Sequence, residues 1–448
     1  MAVRHYNKVL FISYYFPPVG GGGVQRSAKF VKYLPLFGWQ PCVLTVKKPY
    51  DFYRDDTLLS DIPSSVPIYR SISIEPMKWI RKLLFRLWQS KLQNSKKLQN
   101  GTPKTLKSGF LVKIKQILLF PDNEILWLPF GFFKGLVAIH REKPQAIFST
   151  ASPFTAHLIA LMLSRVSGLP WIADFRDLWV DRPNFPPGAW RRFIDRKLEK
   201  LVLRGVTHLT TVSQVIAQRF MEIRPEIKFT VIPNGYDEND FANLESPKIL
   251  TDFFQITYTG IFNREQNPGK FFRAVKELIK QRKDFREKVH LKFIGQLDNP
   301  GEFENLALLK ETGLASYSEI VSYQPHEMVI REMQSATILF LLIGEYPLNE
   351  AVLTGKLFEY LRAKRPILAV VPPEGAAAQI IRQTCSGLVV SNENERDIQE
   401  GLSAMFNSYL QGKLDGEYYW KGIEQYERKN LTEQLAAVLN RINLDNGN

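Results

Sequence analysis

The sequence predicts an α/β chain made of two halves of comparable size, each with a parallel sheet. Three observations predict it. Apolar runs of strand length alternate with helix-length amphipathic stretches, the pattern of βαβ units. That alternation stops at the turn signal Pro233-Asn-Gly235 and restarts near residue 255. The length of 448 residues exceeds what one ordinary core organises.

In chain order, Val9-Leu-Phe-Ile-Ser13 reads as a buried strand, followed by a Pro/Gly loop and a helical pattern from Val24 to Phe37. Residues 41–46, 146–149, 171–173 and 208–212 read as further strands. A hinge is expected near 235–245, where the chain becomes acidic and loop-like. The second half repeats the pattern, with strands at 255–258, 290–294, 336–343 and 367–371 and a helix at 271–281. The tail from Glu417 to Ile442 is helical in composition.

Composition excludes disordered, collagenous and fibrous classes: 45% of residues are hydrophobic and 23% charged. Two cysteines, Cys42 and Cys385, cannot build a disulfide framework, which fits a reducing compartment. No targeting segment or membrane-length apolar run is visible, so the expected location is cytoplasmic or peripheral to a membrane. The net charge is +14, and residues 76–116 hold eleven basic side chains and no acidic one, so the remainder is close to balanced. Within that stretch, residues 77–92 have helical period. Apolar positions fall on one side, Trp88 among them, and Lys78, Arg81, Lys82, Arg86 and Lys91 flank it. That is the pattern of a helix lying on an anionic membrane; an ordinary surface helix with a basic face is the alternative. Nucleic acid is a poorer partner, because the basic residues are not interleaved with stacking aromatics in a reading module.

Three segments carry chemistry. Phe16-Pro-Pro-Val-Gly-Gly-Gly-Gly-Val-Gln-Arg26 joins a strand to a helix, where bare backbone and helix N–H groups suit a phosphate. It matches neither the dinucleotide fingerprint nor a Walker loop. Next, a strand runs into Asp174-Phe-Arg-Asp177, two carboxylates able to polarise an acceptor hydroxyl, or else a structural salt-bridge cluster. His157, on a neighbouring helix, is a proton relay or a structural histidine. Third, Thr354-Gly-Lys-Leu-Phe-Glu-Tyr360 sets Glu359 among apolar neighbours, where a carboxylate is costly unless partnered. The two hydroxyls of a ribose would partner it, as would Arg362 or a lysine. Lys356 at the helix start adds charge for a pyrophosphate.

These pieces, with Thr211-Val-Ser213, Val231-Ile-Pro-Asn-Gly-Tyr-Asp237, Tyr258-Thr-Gly260 and Pro366-Ile-Leu368, are in an order that resembles GT-B glycosyltransferases. The likeness is to the retaining enzymes of family 4, in their bacterial surface-polysaccharide branch. The resemblance implies two Rossmann-like domains facing across a cleft: residues 1–238 for the acceptor, 239–415 for the nucleotide-sugar, and a helix in 416–448 crossing back to the first. It implies a donor site at Gly21, Gly22, Gly23, Gly260, Arg264, Lys270, Lys356 and Glu359; Asp174, Asp177 and His157, read from the sequence itself, are the catalytic candidates, although the histidine usual in the family aligns nearer Thr150-Ala151. No metal or cofactor is implied, the nucleoside-diphosphate sugar being a co-substrate. The acceptor is a glycan or a polyprenyl-pyrophosphate-linked sugar at the inner face of the cell membrane, met through Trp79, Arg81, Lys82, Arg86 and Trp88. In that motif a second glutamate stands eight positions before Glu359; this chain has Ala351 there. The rival readings are a catalytically inactive glycan-binding relative and a nucleotide-sugar epimerase on the same fold.

Overall fold

The computed structural model describes residues 6–47, 55–74, 120–182, 188–242, 252–262, 266–298 and 304–445. Two all-parallel sheets organise them. The first is built from β1 (Asn7–Ile12), β2 (Trp39–Val46), β3 (Ile68–Ser71), β4 (Ala146–Ala151), β5 (Trp171–Phe175), β6 (His208–Thr211) and β7 (Phe229–Val231). Its spatial order is β3-β2-β1-β4-β5-β6-β7. The second is built from β8 (Phe254–Ile261), β9 (Val289–Gln296), β10 (Ser318–Val321), β11 (Ile338–Leu342), β12 (Ile367–Val371) and β13 (Gly387–Ser391). Its order is β10-β9-β8-β11-β12-β13. The central strands are fully buried runs such as ILFLL in β11, because helices cover both faces of each sheet. In each sheet the strand order reverses beside the first strand, between β1 and β4 and between β8 and β11. Open α/β sheets bind ligands beyond the strand ends at such reversals.

Seven helices frame the site and its surroundings. They are α1 (Gly22–Tyr33), α2 (Leu128–Glu142), α3 (Thr155–Ser167), α4 (Ala189–Gly205), α5 (His326–Ser335), α6 (Gly355–Ala363) and α7 (Arg428–Asp445). The helical pattern expected from Val24 to Phe37 is α1 plus a 3-10 turn, Leu34–Phe37, because Pro35 cannot extend the helix. The tail expected as helix from Glu417 instead runs irregularly into one 3-10 turn, Ile423–Tyr426, with Gly422 in the left-handed region, and becomes α7 only at Arg428.

α7 crosses to the first sheet. Leu431, Leu435, Leu439 and Ile442 pack with Val9, Phe11, Phe30 and Val31 in one core, and Trp39 donates to Asn440 at 2.8 Å. The passages between the halves are tied to each other: Tyr236 N donates to Tyr426 O (3.1 Å), and Arg428 N to Tyr236 O (2.7 Å). This is the arrangement of two Rossmann-like domains with a C-terminal helix returning to the first, as the sequence leads one to expect.

Candidate active site in the interdomain cleft

The glycine loop leaves the end of β1 and enters α1. Gly21 stands at the helix cap with φ 109°, a conformation side chains rarely adopt. Opposite it, Gly260 near the end of β8 has φ 115°, and a β-carbon there would sit 3.0 Å from Lys356 Nζ. Between them lies a cleft of about 500 Å³ whose walls include Gly21, Gly260, His326, Lys356, Glu359 and Arg428. Both sheet reversals open into it. Its volume is in the range of small-molecule sites.

The chemistry on the second-domain side is built by α5 and α6. Lys356 is the second residue of α6; its Nζ donates to Tyr258 Oη at 2.7 Å and lies 3.9 Å from the centre of that ring. Burial lowers its pKa to about 7 against the opposing pull of Glu359. One turn on, Glu359 accepts from His326 Nε2 at 2.9 Å, and His326 Nδ1 stands 3.9 Å from Asp240. Burial disfavours the imidazolium, but Glu359 and Asp240 outweigh it and raise the histidine to about 9. Burial likewise opposes the Glu359 carboxylate, and His326, Arg428 and Lys356 overrule it and hold it below its usual range. Arg428, at the first turn of α7, is 4% exposed, and its Nη1 has no hydrogen-bond partner among the described residues. Burial and the nearby Arg26 lower it to about 9. The cleft wall thus sets His326, Lys356 and Arg428 beside Glu359, with Asp55, Asp237 and Asp240 also on its lining; the cations suit an anion, and the spare acceptor capacity of Glu359 suits vicinal hydroxyls.

Beside it, Asp61, Asp237 and Asp240 converge closely enough to hold a cation. Lys29 Nζ already sits among them, at 2.8, 2.6 and 2.7 Å, and Lys32 adds bonds to Asp61 and Asp237. This cluster joins α1 to the short helix Glu238–Phe241, where the chain changes domain.

The sequence-predicted residues separate into groups. Gly21, Gly260, Lys356 and Glu359 are brought together in the cleft, and Gly22 and Gly23 open α1 beside them. Lys270 is not among the lining residues: it pairs with Glu345 and donates to the Glu393 carbonyl at 2.6 Å. Asp174 is a structural residue, correcting the catalytic expectation. It is fully buried, its two oxygens are held by Arg26 at 3.0 and 2.7 Å, and they also accept from Thr150 and Thr210. Burial opposes its charge but Arg26 prevails and lowers its pKa. His157 is also interior. It shares a hydrogen bond of 2.8 Å with Ser149, packs on Phe175, and burial drops its pKa to about 3, so it is corrected from proton relay to core residue.

Asp177 does face a cavity, a second one of about 280 Å³ shared with Arg182, Ala351 and Leu353. Its side chain is open to that cavity, and the protein crowded around it raises its pKa against the pull of Arg176 and Arg182. Arg176, which also lines this second cavity, donates to the Ala151 and Gly23 carbonyls, both at 2.6 Å. Arg264, Trp79, Arg81, Lys82, Arg86 and Trp88 lie outside the described residues. His326 and Arg428 were not singled out from sequence. Neither lies in a recognisable motif, and both reach the cleft only through tertiary folding.

A model of the glycosyl transferase 4-like domain matches residues 119–235. No curated protein sequence matches the chain. Solved structures do, at low identity and over nearly full length. Sucrose-phosphate synthase from Thermosynechococcus elongatus is 12% identical with a TM-score of 0.65, covering 97% of this chain and 99% of its own. HepE from Anabaena in complex with UDP-glucose is 11% identical with a TM-score of 0.63, covering 97% and 100%. The lipopolysaccharide outer core galactosyltransferase WaaB is 14% identical with a TM-score of 0.55, covering 97% and 99%. The chain therefore has the GT-B fold, and its residues 119–235 match the glycosyl transferase 4-like domain.

Proposed function

We propose that the protein transfers a sugar from a nucleoside-diphosphate sugar to a glycan or lipid-linked acceptor, with retention of configuration, in bacterial surface-polysaccharide synthesis. The observation that carries this reading is Glu359: a charged carboxylate at the wall of the cleft, held by His326 and one helical turn from Lys356. In this reading Glu359 accepts from the ribose hydroxyls. Lys356 and the N–H groups at the start of α1 meet the diphosphate, with bare backbone at Gly21 and Gly260 letting it approach. Arg428 adds a further cation to the same wall. The neighbour HepE, which was solved with UDP-glucose, supports a nucleotide-sugar as the donor.

The acceptor enters the second cavity, where Asp177 orients its hydroxyl. The bond from the sugar C1 to the β-phosphate oxygen breaks, the bond from C1 to the acceptor oxygen forms on the same face, and the acceptor's proton passes to the departing phosphate. No protein nucleophile is needed. The chain supplies positioning and charge stabilisation.

Turnover of sugar nucleotides with lipid extract, read as release of nucleoside diphosphate, tests the reading. Glu359→Ala loses two hydrogen bonds to a charged group, so the donor KM should rise by about tenfold or more while kcat changes less. Wild-type donor kinetics in that variant would overturn the ribose assignment. Conversion of the sugar nucleotide to its epimer, with no transfer, would favour an epimerase.

A further inference from the structure

We propose that the outward face of α4 docks the first domain on an anionic lipid surface. The helix is sorted by side. Both of its acids are turned inward: Asp195 is bound by Arg191 and by Trp179 Nε1 (2.8 Å), and Glu199 by Arg196 (2.7 Å). Outward stand Trp190, 45% exposed, Phe193, 60% exposed, and Leu201. Beside them Arg192, Lys197 and Lys200 are exposed, and Lys197 Nζ lies 4.3 Å from the Phe193 ring centre. A solvated helix face carries mixed charges and few large apolar groups, whereas this one carries large apolar groups and cations only. That combination complements acyl chains beneath anionic headgroups.

Charge argues against the other occupants. A second copy meeting through the same face would bring cations against cations. So would the segment 76–116, which holds eleven basic residues and no acidic one. Position argues for the membrane. The Arg191 guanidinium lies 4.7 Å from the Phe120 ring centre, so α4 adjoins the point where the chain returns from that basic segment. α2 and α4 flank α3 in one helical layer, and Phe133 of α2 is also exposed on it. The bond from Trp179 to Asp195 ties α4 to the stretch 176–182, which lines the second cavity. Docking α4 therefore brings that cavity toward the lipid, which serves a lipid-linked acceptor. Only this last step rests on the function proposed above.

The test is co-sedimentation of the full chain with vesicles of phosphatidylcholine alone and of phosphatidylcholine with phosphatidylglycerol. The wild type should pellet with the anionic vesicles at low salt and be released by high salt. The double variant Trp190→Ser/Phe193→Ser should bind those vesicles about tenfold more weakly or worse. Tyr419→Ser, at an exposed position in the second half, should bind as wild type. Melting curves with and without UDP show whether each variant is folded and keeps its cleft, which separates this proposal from the donor-site reading. Three results would overturn it: no sedimentation of the wild type, undiminished sedimentation of the folded α4 variant, or a dimer in size exclusion that the α4 variant abolishes. Binding lost only on substituting Trp79 and Trp88 would be a case of the second result, placing the contact wholly in residues 76–116.

Discussion

Lys356 and Glu359 show how far a motif carries a residue assignment. Their spacing on a helix that starts at a glycine marked them in the sequence, and the fold sets both against one cleft. Asp174 and His157 stood in equally suggestive surroundings, yet face inward. The buried strand continues through Asp174, and His157 sits in a helix whose neighbours Ala156, Leu158 and Ile159 are all buried. One sequence shows that a polar group is buried but not whether its partner is a ligand or another side chain. Arg26 lies 148 residues from Asp174. The Lys356 site makes a pH prediction. Burial holds its free-state pKa near about 7, and a bound diphosphate favours the charged form, so binding raises that value and takes up a proton above it. UDP affinity should be flat below about pH 7 and then fall with rising pH, by at most about tenfold per unit. Titration calorimetry in buffers of differing ionisation enthalpy reads both effects, and Lys356→Met should remove them. Proton release on binding would contradict the assignment.

Among the elements, central strands were legible and edge strands were not. β11 and β12 are unbroken apolar runs because both of their faces are covered, and β1 and β5 carry apolar stretches flanked or interrupted by a few polar residues, while β8 alternates apolar and polar side chains. β3, β7 and β10 are three or four residues long at sheet edges. Their partly exposed sequences carry no such signal. The tail was legible in kind but not in extent, since its first eleven residues are irregular apart from one 3-10 turn, Ile423–Tyr426, entered through the left-handed Gly422. What α7 does was legible only through the family resemblance. Leu435 is wholly buried against the first domain's core, so Leu435→Ala should cost about 2–5 kcal/mol of stability in denaturant unfolding. A cost under about 0.5 kcal/mol, typical of a surface site, would mean that the helix does not pack there.

For the whole molecule, the two sheet reversals face each other, and that relation makes one cleft from two loops distant in sequence. The restart of the strand pattern near residue 255 announced two halves. Nothing local announced that α7 and the passage at Tyr236 would pair to fix them together. The central claim is that this cleft holds a nucleoside diphosphate with Glu359 on its ribose. Thermal unfolding with UDP, GDP, ADP, dTDP and CMP, for the wild type and for Glu359→Ala, tests it most directly, because a ligand bound only by the native state raises Tm. One nucleoside diphosphate should raise the wild-type Tm, by an amount that Glu359→Ala loses. No shift with any of the five, or an equal shift in the variant, would contradict the account.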